Sequence, residues 1–105
     1  MLRLSTLFIV LAAFVIACGS EGPSSEQIAE GKATYEKFCV ACHGAKGELQ
    51  MNGAKDFTQS EMTLNERIEI ITKGKNMMVP FKGVLNVEEI KNVAAYTLQL
   101  TKGKI

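Results

Sequence analysis

The chain has 105 residues, with 12 basic and 11 acidic side chains, three cysteines, one histidine and no tryptophan. That length allows one domain, of a size that apolar burial alone stabilises only marginally. One histidine excludes a zinc finger of the two-Cys, two-His type, and a formal charge of +1 with no basic block excludes a nucleic-acid binder.

Arg3 is the only charge among the first 20 residues, and Leu4 to Ala17 is apolar apart from Ser5 and Thr6. That run is too short for a permanent bilayer span, which takes about 20 residues. A basic start, a short apolar stretch and small residues at its end describe an export signal. Val15-Ile16-Ala17-Cys18 resembles the lipobox of bacterial lipoproteins. The resemblance implies that residues 1–17 are a lipoprotein-type signal peptide and that Cys18 becomes a lipid-bearing N-terminus. A plain signal cut near Ala17 is the alternative. Residues 18–25 are small and polar and are expected to form a flexible tether. Residues 26–105 then form the folded domain. Without the signal the basic and acidic side chains balance, since only Arg3 is lost.

The domain reads as all-α. Ser24 with Gln27 predicts a capping box that opens a helix, and Ile28, Gly31, Tyr35 and Phe38 recur at helical spacing along it. Residues 44–60 carry three glycines and no sustained period, so a loop is expected. Thr63 with Glu66 opens a second helix, with Leu64, Ile68 and Ile71 facing inward and Gly74 as its stop. Residues 75–85 contain Pro80 and Gly83 and read as an extended loop. Asn86 with Glu89 opens a third helix, with Ile90, Val93, Ala94, Thr97 and Leu98 on its buried side. Three main helices and two long loops result, and such loops in so small a domain call for something else to organise them.

Cys39-Val40-Ala41-Cys42-His43 is the segment that carries chemistry. C-x-x-C-H is the attachment signature of c-type haem. Cysteines three apart on a helical turn share a face, so both sulfurs can join one haem edge as thioethers, with the next residue beneath the iron. A thioredoxin-type pair expects a βαβ pattern, which is absent. A zinc site needs about four ligands, and only Cys39, Cys42 and His43 are at hand. A disulfide between these cysteines would close a very small loop, and a free dithiol tends to oxidise once exported.

At this point the sequence resembles the class I c-type cytochromes over residues 26–102. Gly31 and Tyr35 match the family's N-terminal helix, Cys39 to Gly44 its haem segment, Met78-Val79-Pro80-Phe81 its methionine loop, and Glu88 to Tyr96 its closing helix, with Tyr96 facing Gly31. The resemblance implies a small cytochrome c fold around one covalent haem c, held by Cys39 and Cys42 with His43 as proximal ligand. One histidine excludes bis-histidine ligation within a monomer, so a methionine is expected as the sixth ligand. The register of the loop favours Met78, with Met77 as the alternative, because Val79 separates Met78 from Pro80 where the family often has methionine followed directly by proline. Met51 and Met62 are expected to be core filler.

The implied function is one-electron transfer without catalysis by a monomer at the bacterial periplasm or outer envelope face. Its partners would be redox proteins of the membrane oxidoreductase or terminal oxidase type, and a lipid on Cys18 would hold it to a membrane. Lys73, Lys75 and Lys82 could form a docking rim for an acidic partner. The competing reading is a haem enzyme or gas sensor with an open sixth position.

Overall fold

A computed structural model of the protein describes residues 22–101. The chain forms α1 (Ser25–Phe38), α2 (Val40–His43), two 3-10 turns (Met51–Gly53 and Phe57–Gln59), α3 (Leu64–Lys73) and α4 (Val87–Leu100). No strand occurs among the described residues, so the all-α expectation is met. The signal segment and Cys18 lie outside the described residues.

All three long helices begin where local hydrogen-bond chemistry dictates. Ser24, Thr63 and Asn86 each accept a bond from the backbone N–H three residues on, at 3.1, 3.2 and 2.8 Å. Gln27, Glu66 and Glu89 return the bond to the cap backbone. Each box thus satisfies helix-end donors that would otherwise lack a partner.

α4 packs against both α1 and α3 and forms the spine of the domain. Its Val93, Ala94, Ala95, Tyr96, Thr97 and Leu100 are buried, and Leu98 is half-buried rather than fully inside. The α1 crossing occurs at Gly31, where an added Cβ would meet the Asn92 carbonyl and Cβ of Tyr96. Tyr35 is fully buried, with its ring 5.1 Å from that of Tyr96, and its hydroxyl donates to the Gly44 carbonyl at 2.6 Å. One tyrosine therefore ties the helix crossing to the residue after His43.

Residues 75–85 depart from the expected extended loop. Lys75 and Met78 exchange backbone bonds of 2.9 and 3.1 Å, so Asn76 and Met77 form the tip of a tight turn. Asn76 takes a positive φ of 54°, a conformation asparagine tolerates better than most residues. Phe81 and Lys82 then donate to the Ile71 and Thr72 carbonyls of α3, which satisfies acceptors the end of that helix leaves open.

Candidate haem site

A cavity of about 300 Å³ opens between the short helix α2 and the 75–81 segment. Cys39, Cys42 and His43 line it, and so do Met77 and Met78. These residues come from opposite sides of a sequence gap of more than 30 positions, so the fold, not chain proximity, brings them together.

Cys39 is the one-residue break between α1 and α2, and its N–H still bonds to the Tyr35 carbonyl at 2.9 Å. The His43 N–H in turn reaches the Cys39 carbonyl at 3.0 Å. The C-x-x-C-H segment is thereby fixed as helical turns. Burial pushes the Cys39 thiol up to about 11, with the neighbouring Cys42 adding to the rise.

The His43 ring is oriented from two directions. Its Nδ1 lies 3.2 Å from the Lys55 carbonyl. A carbonyl only accepts, so Nδ1 carries the proton and Nε2 keeps a free lone pair, which is the form that binds a metal. Phe57 stacks on the ring at 4.3 Å between centroids and 18° between planes. Burial lowers the His43 pKa, opposed by the hydrogen bond to Lys55, which favours the neutral imidazole.

The methionines separate by burial. Met78 is half-buried and packs against the core, whereas Met77, at the turn tip, is 73% exposed. Met51 and Met62 also line the cavity, and Met51 is 50% exposed. The expectation that Met51 is core filler does not hold, because the loop that carries it lies at the cavity wall. Gly74 lets the methionine segment approach. It has a φ of +72°, and a Cβ there would meet the Met78 carbonyl oxygen at 2.6 Å and the Pro80 nitrogen at 2.8 Å.

Three features escaped the sequence reading. Phe57 is a lone aromatic in a glycine-rich stretch, and the Lys55 carbonyl carries no side-chain signal. Arg67 lines the cavity and is 3% exposed. Its position three after Leu64 and four before Ile71 put it on the apolar stripe, which was the available clue. The expected lysine rim is reduced at one member, since Lys73 pairs with Glu69 at 3.0 Å.

The site fits a haem. It offers two cysteines, an imidazole whose Nε2 is free, methionine sulfurs from a separate segment, and an apolar interior of the kind that cofactors occupy. These are the features of a c-type cytochrome. Residues 26–96 match the family model described as cytochrome c oxidase, cbb3-type, subunit III, and the chain belongs to that family of c-type cytochrome domains. It is 37% identical over 76 residues to cytochrome c6 of Leptolyngbya boryana, covering 67% of this chain and 88% of that protein. It is 35% identical over 82 residues to cytochrome c6 of Parathermosynechococcus lividus, covering 72% and 94%. The solved cytochrome c6 of the diatom Phaeodactylum tricornutum superposes with a TM-score of 0.64 at 31% identity, over 74% of this chain and 98% of that one. The chain is a monohaem c-type electron carrier with one covalent haem c, and it is an electron-transfer protein rather than an enzyme.

Proposed function

We propose that Cys39 and Cys42 hold the haem through two thioether bonds, that His43 Nε2 and the Met78 sulfur ligate its iron, and that the chain shuttles electrons between envelope redox proteins while anchored by a lipid on Cys18. The carrying observation is that Cys39, Cys42, His43 and Met78 all line one cavity of about 300 Å³. When bound, the haem supplies an iron that alternates between ferrous and ferric states.

Each residue has a separate task. The cysteines fix the cofactor in a domain too small to enclose it fully. Lys55 and Phe57 hold the His43 ring in one tautomer and orientation. Met78, braced by its turn bonds to Lys75, would give its sulfur to the iron, and Met/His ligation favours a raised potential. The hydrogen bonds on His43 and on the Met78 turn hold both residues in place, so little protein rearrangement would oppose transfer. Exposed Met77 and Val79, with Lys75 and Lys82 nearby in the chain, give a mixed apolar and basic face beside the cavity suited to a redox partner carrying acidic groups.

Residues 1–17 act as the export signal in this reading. Residues 18–25 join the lipid to the domain of residues 26–105, with Ser24 and Ser25 already engaged in the start of α1. No described helix is long and apolar enough to cross a membrane; the anchor proposed is the lipid on Cys18. Stable anchoring takes two acyl signals or more.

The test is spectroscopic. Oxidised protein is expected to show the weak far-red band of iron–methionine ligation, and reduced protein to resist carbon monoxide. A missing band with ready carbon monoxide binding would favour the open-site reading instead. Cell fractionation tests the anchor: Cys18→Ala should move the protein from the membrane to the soluble fraction, and an unchanged distribution would remove the lipid from the proposal.

A further inference from the structure

The tandem Met77-Met78 holds one sulfur more than an axial ligand needs. The two side chains meet different surroundings. Lys75 and Met78 exchange backbone bonds of 2.9 and 3.1 Å, and Met78 is half-buried against the core. Met77 sits at the turn tip, 73% exposed and outside that core. Val79, on the other side of Met78, is exposed as well. Exposure therefore alternates along residues 77–79, and Met77 with Val79 makes an apolar rim beside the cavity.

Methionine is a common site of oxidation, and its sulfoxide is polar where the thioether was apolar. Attack needs access to the sulfur. Residues 22–101 hold four methionines, of which Met51 is 50% exposed, Met62 and Met78 are half-buried, and Met77 is the most open. The thiols of Cys39 and Cys42 are consumed by haem attachment on the reading above, so they do not compete for the oxidant.

Resting on the assignment of Met78 to the iron, we infer that Met77 is an oxidation site for hydroperoxides, and that its sulfoxide makes the rim polar and slows electron exchange at this face without disturbing the iron ligands. Hydrogen peroxide transfers one oxygen to the Met77 sulfur. The O–O bond breaks and an S–O bond forms. The sulfur gives up two electrons, and the second oxygen leaves as water with both hydrogens. The fold tolerates the product, because the paired backbone bonds of the turn belong to Lys75 and Met78, and a side chain this exposed keeps its new polar group in water. Contact with a partner does not tolerate it: a sulfoxide pressed into an apolar contact loses that water without gaining a partner for its oxygen.

The experiment exposes the ferric holoprotein to hydrogen peroxide for timed intervals. Peptide mass spectrometry locates each added oxygen. Nuclear magnetic resonance measures electron self-exchange between ferrous and ferric copies, so no other partner is needed. The first oxygen should fall on Met77 with the far-red band undiminished. Self-exchange should then slow by about tenfold, the scale of one methionine side chain withdrawn from an apolar contact. Met77→Gln, with a polar group on a chain of similar length, should exchange slowly before any peroxide is added. Met77→Leu should exchange no more slowly after the same exposure than before it. A first oxygen on Met51, Met62 or Met78 overturns the inference while leaving the ligand assignment standing. Undiminished self-exchange in both the sulfoxide-bearing protein and Met77→Gln overturns it too. Loss of the far-red band in untreated Met77→Leu strikes the assignment of Met78 first, and the inference falls with it.

Discussion

Gly31 and Asn92 meet where α1 crosses α4, and a Cβ on Gly31 would sit 2.6 Å from the Asn92 carbonyl carbon and 3.1 Å from Cβ of Tyr96. Two of the three obstructing atoms are backbone, so the helices themselves would have to separate. Gly31→Ala is expected to cost about 3 kcal/mol, at the upper end for overpacking. The corresponding fall in Tm is about 12–24 °C for a domain of this size. Thermal unfolding of the holoprotein measures it, and a Tm within about 2 °C of the parent would show that the crossing yields easily.

The sixth ligand can be assigned by two single substitutions. Met78→Ala should abolish the far-red band and open the reduced iron to carbon monoxide, because Met78 is the half-buried methionine of the pair. Met77→Ala should leave both properties intact, as expected of a side chain 73% exposed at a turn tip. The reverse pattern would transfer the ligand role to Met77.

Removal of the attachment points tests how far the fold depends on the cofactor. Cys39→Ala or Cys42→Ala alone should leave one thioether and a weaker haem stain on a denaturing gel. The double variant should lose the stain. It should also lose much of its helical circular dichroism, because the walls of the cavity would then face each other across a void. Full helicity without haem would show that α1, α3 and α4 hold together unaided.

Gly74→Ala probes the approach of the methionine segment. The residue has a φ of +72° and sits 2.6 Å, measured from an added Cβ, from the Met78 carbonyl oxygen. With ψ at 168° the backbone lies in a region that essentially only glycine adopts, and an ordinary residue there costs about 1–3 kcal/mol. The far-red band should therefore disappear at lower denaturant concentration than in the parent, ahead of the loss of helix. Simultaneous loss at the parental midpoint would mean that the loop adapts.

How much was legible in advance follows from the range of each interaction. The three capping boxes were readable because Ser24, Thr63 and Asn86 find their partners three residues away. The C-x-x-C-H segment was readable because its spacing is its chemistry. The turn at Lys75–Met78 was not, since neither glycine nor proline marks it and the positive φ falls on Asn76. Arg67 was masked by its charge: on a helix surface such a residue reads as solvated, and its contacts include Thr97 and Thr101, 30 and 34 positions away. Phe57 was hidden similarly, because its partner ring belongs to His43 in a different segment.

The bond from His43 to Lys55 involves the main-chain carbonyl of residue 55. Every amino acid carries that oxygen, so replacing the Lys55 side chain would leave the His43 tautomer untouched. Loop length is what this contact constrains: a single insertion or deletion between His43 and Lys55 would misalign the acceptor, whatever the residue types. Relatives related by drift in this stretch should therefore tolerate varied composition while keeping the spacing.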